Sequence, residues 1–289
     1  MIYLILSIIC SVTVGVLLKL AKRYQLDIAQ AITWNYFFAI ALSAFFFKPA
    51  LSDLSLTALS PIHLALGILL PTIFIFLALS VNKTGLARTD IAQRLSLFIS
   101  LCAAYFLFND DYHLLKYIGI ILAFIAIILT LHRPATAVKS KNNWLYPTLV
   151  FIGFGLIDVL FKMISQLNVI PYTTSLFVVF CIAFIVSLSY IVYLAIKAQT
   201  KLQLINFICG CILGFFNFGN ILFYLKAHRA MANDPSTVFA GMNMGVIIAG
   251  SLIGILVFKE KLSKLNYLGM ALALLAIILI TIAQFHVIR

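Results

Sequence analysis

Charge is the scarce commodity in this chain. Only 10% of its 289 residues are charged, and eight are Asp or Glu. A soluble domain carries roughly a quarter charged residues. With 64% hydrophobic residues, most of the surface of a water-soluble globule would be apolar. Catalytic signatures are missing too. There is no glycine-rich loop ending in Lys-Ser/Thr, so ATP is not a direct partner. There is no His-Glu-x-x-His, no pair of intramembrane aspartates and no potassium-channel filter sequence. The five cysteines (Cys10, Cys102, Cys181, Cys209, Cys211) fall inside apolar runs without metal-ligand spacing, as buried thiols do. His113, His132, His228 and His286 scatter over turns and helix ends, and His63 has no acidic neighbour. A multi-spanning enzyme is therefore the weakest reading, and no metal, cofactor or nucleic acid is expected. The net charge of +12 sits in short turns and bears on orientation rather than on a nucleic-acid footprint.

What is present is apolar and continuous. In hydrocarbon only helices or closed barrels satisfy the backbone, and unbroken runs read as helices. Ten can be counted, at 2–22, 29–47, 61–81, 86–108, 113–131, 144–166, 172–196, 203–226, 236–258 and 263–286. Each is about long enough to cross ~30 Å of hydrocarbon. The first lacks a basic start and a small-residue cleavage site, and is expected to be a retained helix. The longest polar stretch, Arg133 to Asn143, reads as a linker between halves 1–132 and 144–289.

The halves repeat one another. Phe106 to Leu129 and Leu256 to Leu279, 150 positions apart, agree at ten of 24 positions, including Phe108/Phe258, Tyr117/Tyr267 and Gly119/Gly269. Five helices per half is an odd number, so the halves enter the membrane in opposite directions. The expected fold is all-α: ten transmembrane helices as two inverted five-helix repeats, a plan typical of secondary transporters. Lys and Arg divide thirteen to five between the two sets of turns. By the positive-inside rule this puts the linker in the cytoplasm and both termini outside.

The turn Phe258-Lys259-Glu260-Lys261-Leu262 leading to Tyr267-Leu268-Gly269, its first copy with Asp110 and Gly119, and Val14-Gly15-Val16-Leu17-Leu18-Lys19 together resemble the drug/metabolite transporter superfamily, in particular its EamA-type ten-helix members. The resemblance implies alternating access and termini in the cytoplasm, opposite to the charge count. This chain departs from the family in helix 2, where Asn35 lies near the position of a frequent arginine, and in helix 9, where Gly245 replaces a frequent proline.

Ionisable groups within spanning helices cost roughly 2.5–3.5 kcal/mol each, so each is a functional candidate. Lys19 and Lys162 correspond under a shift of 143; each lines a vestibule or snorkels to head groups. Asp158 corresponds to Gly15 and stands four residues before Lys162. It reads either as a proton-coupling site or as half of an ion pair. Gln93 and Asn243 correspond under the 150 shift, and either share a cavity or glue helices. Arg94 clamps an anion or reaches the interface. Asn217 and Asn220 share a helix face directed inward. Trp34, Asn35 and Tyr36 line the cavity or anchor at the interface. Gly210/Gly214, Gly241/Gly245 and Gly250/Gly254 are small-xxx-small pairs for close packing.

Three cations against one acid favour an anionic or zwitterionic substrate such as an amino acid. Lys19, Asn35, Gln93, Arg94, Lys162, Asn217, Asn220 and Asn243 would bind it and Asp158 would couple protons. Efflux of cationic compounds is the alternative. The expected setting is a bacterial inner membrane, the chain acting as a monomer or homodimer on a small molecule. The charge count predicts that a cysteine placed at Ser140 is shielded from an impermeant thiol reagent in intact cells. Ready labelling there would establish the orientation that the resemblance implies.

Overall fold

The computed structural model describes residues 1–23, 26–49, 60–84, 86–131, 144–167, 171–197, 203–259 and 263–287. The linker 133–143, with Ser140, and the turn at Glu260 lie outside the described residues. Among the described residues there are eleven helices and no strand: α1 (Ile2–Arg23), α2 (Ile28–Phe47), α3 (Pro61–Thr84), α4 (Leu86–Leu95), α5 (Leu97–Phe108), α6 (Leu114–Thr130), α7 (Leu145–Gln166), α8 (Tyr172–Ile196), α9 (Leu204–Ala230), α10 (Pro235–Leu256) and α11 (Lys264–Val287). Nine stretches are long and apolar enough to cross a membrane, with α4 and α5 counted together, and α6 is a shorter apolar helix. These are the ten expected spans.

One expectation needs correction. The run 86–108 is not one helix but two, divided at Ser96. Ser96 Oγ donates to the Gln93 carbonyl at 2.6 Å, a local bond that competes with the regular helix ladder. The discontinuity falls beside Arg94. Interrupted helices are tolerated at membrane depth where they line protein or a cavity.

Spans alternate in direction, so the bundle has two ends. One carries the start of α1 and the finish of α11, called here the terminal end. The other, the linker end, carries the finish of α6 and the start of α7. Packing is paired across the halves. The α1–α9 and α2–α9 contacts have counterparts in α7–α3 and α8–α3, and α1–α10 has its counterpart in α7 against α4 and α5. The pairs α6–α11, α2–α8 and α5–α10 map onto themselves. This is the contact set of a two-fold axis lying in the membrane plane.

The repeated glycines explain the most extensive of these contacts. A β-carbon on Gly119 would lie 2.6 Å from Ile280 and 3.3 Å from the Ala276 carbonyl oxygen. One on Gly269 would lie 3.0 Å from the Ala126 carbonyl oxygen and closer still to Thr130. Residues 126 and 276, and 130 and 280, are themselves 150 apart, so one contact is made twice. It joins α6 to α11 as a pair at the edge of the bundle, backbone against backbone. Gly210 and Gly214 do the same for α9 on α2, where added β-carbons would meet the Ala31 and Asn35 carbonyls at 2.8 and 2.7 Å. Gly241 and Gly245 admit Leu4 and Ile8 of α1. Gly250 departs from the expected packing role, with nothing within 4 Å of its would-be β-carbon.

Gly269→Ala should therefore lower stability by about 1–3 kcal/mol, since the obstruction is backbone that cannot swing aside. Gly250→Ala should be neutral or stabilising by about 0.5–1 kcal/mol, because a mid-helix glycine costs conformational entropy. Thermal unfolding of both variants in detergent checks the contrast.

Candidate functional site

Several groups of polar side chains lie inside the bundle, and two of them contain the charged candidates Asp158 and Lys162. The first surrounds Asp158 on α7. Counted along the helices, Asp158 is roughly 20 Å from the linker end and Ser100 of α5 about 21 Å. They meet at that depth, Ser100 Oγ donating to the Asp158 carboxylate at 3.0 Å. From α9, the Tyr224 hydroxyl donates to its other oxygen at 2.9 Å. Asp158 is half-buried, with its partners on two other helices. Arg94, also half-buried, lies on α4 nearer the linker end, within electrostatic reach of Asp158 and Asp90. A carboxylate held by two hydroxyls thus lies within electrostatic reach of a guanidinium on a neighbouring helix.

The second group closes the terminal end. Lys116, 2% exposed, reaches Asp110 at 2.5 Å and Asp234 at 3.5 Å. Asp110 also accepts the Ser236 amide at 2.9 Å, placing a carboxylate on the N-terminal turn of α10, where the helix dipole favours it. Lys162, fully buried, donates to the Ala232 carbonyl at 2.7 Å and lies 5.7 Å from the centre of the Phe108 ring. A pocket of about 330 Å³ lies at this end, lined by Phe108, Asp111, Gln166, Ala232, Asn233 and Asp234 among others. The Tyr112 hydroxyl, in the same turn, donates to the Leu101 carbonyl at 2.9 Å. Burial, with Asp110 nearby, raises its pKa, so it remains a donor.

The candidates are thus divided. The ion pair between Asp158 and Lys162, open from their spacing, is not formed. The short carboxylate stays at its own level with Ser100 and Tyr224, while the long lysine stem carries its ammonium a turn further to Ala232. Lys19 is exposed, its ammonium 3.8 Å from the Phe258 ring centre at the linker end. Asn220 accepts from Ser7 Oγ at 2.8 Å, in the α1–α9 seam. Asn243 is buried and donates to the Phe239 carbonyl of its own helix at 3.1 Å. Asn35 is 1% exposed in the α2–α9 seam, its side-chain oxygen without a hydrogen-bond partner. Beside it Tyr36 is fully buried and Trp34 meets Phe207 edge-on. Asn217 is buried, and Gln93 is half-buried beside Arg94. Of the candidates, Arg94 and Asp158 share one region, and Lys19 and Lys162 occupy opposite ends.

Sequence reasoning missed Ser100, Tyr224, Asp90 and the whole Asp110–Lys116–Asp234 cluster. A serine or tyrosine in an apolar run carries no mark of its partner. Asp90, four residues into a spanning run, was a visible signal, as was the acid at the turn copied in Asp110 and Glu260.

Comparison with known proteins now has a geometry to attach to. The sequence model of the EamA-like transporter family matches residues 1–132. An uncharacterised protein from Haemophilus influenzae is 42% identical over 282 residues, covering 95% of each chain. The chain belongs to the EamA-like transporter family. A solved crystal structure aligns with a TM-score of 0.71 over 99% of this chain and 97% of that one, at 12% identity. At that identity the likeness speaks to fold alone. The family match ends where the first five spans end, and the internal repeat carries the same plan through the second half of the transporter.

The cluster at the terminal end yields a stability prediction. Lys116→Met should cost about 3–5 kcal/mol, because it strands buried Asp110 beside Asp234. The double variant Lys116→Met/Asp110→Asn should recover part of that loss. Thermal unfolding of the single and double variants measures both.

Proposed function

We propose that this transporter moves a small zwitterionic or anionic metabolite, of the amino acid type, by alternating access of its two halves, 1–132 and 144–289. The observation that carries the reading is the juxtaposition of Arg94 with Asp158 in one interior space. A guanidinium offers paired N–H donors matched to a carboxylate. The Asp158 carboxylate, set between two hydroxyl donors, accepts an ammonium group or a proton. Opposite charges at two levels of a cavity suit a solute that carries both signs.

Asp158 is also the proposed coupling site. Binding and release of one proton there would link transport to a proton gradient, or the same carboxylate would support exchange. No chemical change to the solute is involved, so the chain is read as a carrier rather than an enzyme, in the inner membrane of a bacterium. Lys19 and Lys162, at opposite ends, are removed from the substrate-binding set by their distance from Asp158's level. Asn35, Asn217, Asn220 and Asn243 serve packing in this reading.

Uptake of labelled amino acids and related metabolites into proteoliposomes tests the proposal. Once a substrate is found, Arg94→Gln should weaken its binding by about 1.5–3 kcal/mol, the range for hydrogen bonds to charged groups. Asp158→Asn should abolish accumulation driven by a proton gradient while sparing exchange, since exchange need not discharge the proton. Unchanged affinity in Arg94→Gln rules out the carboxylate clamp. Transport of lipophilic cations that survives Arg94→Gln and is lost in Asp158→Asn would assign the protein to cation efflux instead.

A further inference from the structure

The Asp158 group continues toward the terminal end through a histidine that has no role in solute binding. Counted along the helices, Asp158 lies about 12 Å from the terminal end of α7, and on α9 Tyr224 and His228 lie about 9 and 3 Å from the end of their helix. The Tyr224 hydroxyl donates to Asp158 at 2.9 Å. His228 follows four residues later and so shares its face of α9, with the two rings edge to face and their centres 4.7 Å apart. Phe239 of α10 covers the imidazole from another side at 4.8 Å. Among the described residues its charged neighbour is Lys162 of α7, itself within electrostatic reach of Asp110 and Asp234. Four residues beyond His228, Ala232 is exposed and lines the terminal-end pocket with Asn233 and Asp234. His228 thus stands between the Asp158 group and solvent. It is completely buried, yet neither ring nitrogen has a hydrogen-bond partner among the described residues. A neutral imidazole carries one donor and one acceptor, and leaving both idle is unfavourable. A phenylalanine would fill the same slot between two aromatic rings without that cost. Under the 150 shift His228 corresponds to Ala78, as Tyr224 corresponds to Phe74. The imidazole therefore belongs to the polar group that is built in one half only.

We propose that His228 relays protons between the terminal end and Asp158 by way of Tyr224, an assignment that rests on Asp158 as the coupling site of the proposed function. A proton arriving from the terminal end binds one ring nitrogen of His228. The proton on the other nitrogen leaves for the Tyr224 oxygen through a bridging water molecule, as the Tyr224 hydroxyl proton passes to the Asp158 carboxylate. One proton has entered and Asp158 has gained one. Tyr224 is neutral before and after, and the imidazole ends as its other tautomer. No lasting second cation forms beside Lys162. Release from Asp158 runs the same steps in reverse. The residue types suit the task, because imidazole and hydroxyl each donate and accept at the same time. Chains of ionisable residues inside a membrane are the usual means of carrying protons to a buried carboxylate.

Proton arrival at Asp158 can be timed without any solute. The wild-type protein in nanodiscs receives protons released by light from a caged acid, and the carboxylic acid C=O band of Asp158 is followed by time-resolved infrared spectroscopy. The band is assigned by its loss in Asp158→Asn. His228→Phe keeps a ring between Tyr224 and Phe239 and removes both nitrogens. In this variant the band should rise about tenfold or more slowly than in the wild type, and reach the same final amplitude at the same final pH. If His228→Phe does not fold, His228→Gln should show the same slowing, since its amide does not take up a proton at one atom while releasing another. A rate equal to wild type in a folded variant, with the band present, overturns the relay and leaves Asp158 standing as the coupling site. Absence of an Asp158 band in the wild type at every pH where the protein is folded overturns the coupling site itself, and the relay with it.

Discussion

A polar group buried in a bilayer must find its partner inside the protein, because hydrocarbon offers none. This single constraint organises the interior of the transporter. It brings Ser100 and Tyr224 to Asp158, Ser7 to Asn220, and Asp110 and Asp234 to Lys116. Each of these bonds joins different helices or turns, so satisfying a side chain and fixing a helix position are one event. The Asp110 carboxylate is the clearest case. It neutralises Lys116, receives the first free amide of α10 at Ser236, and ties the turn after α5 to the turn before α10.

The constraint is not met everywhere. Both ring nitrogens of His228, the hydroxyls of Ser236 and Thr237, and that of Tyr36 are buried without hydrogen-bond partners. His228 packs edge-on between Tyr224 and Phe239 with ring centres 4.7 and 4.8 Å away, so it links the Asp158 group to the terminal end. Orphan polar atoms are costly where packing is fixed.

Much of the fold was legible in the sequence because the membrane makes hydrophobic length a direct readout of a helix. The ten spans followed from run length, and the close packing of Gly210, Gly214, Gly241 and Gly245 from their spacing. The division of the fourth span at Ser96 did not, because it depends on one side-chain bond to a carbonyl. The site was legible only in its charged members. Asp158 and Arg94 announce themselves by their cost, but which neighbour satisfies them depends on helix rotation. Spacing alone favoured Lys162 as the partner of Asp158, and rotation of α5 and α9 against α7 gave it Ser100 and Tyr224 instead.

The asymmetry of the repeat locates function more sharply than its symmetry. The scaffold elements recur in both halves: Gly119 with Gly269, Phe108 with Phe258, Lys19 with Lys162. The residues of the Asp158 group do not. Asp158 corresponds to Gly15, Ser100 to Gly250, Arg94 to Met244 and Tyr224 to Phe74. Every polar member has an apolar or absent side chain as its counterpart, and at Gly15 and Gly250 the vacated positions border open space. A solute with two unlike ends cannot satisfy two identical half-sites related by a two-fold axis. One half must supply charge and the other room. A polar group built once suits the two-ended solute proposed above.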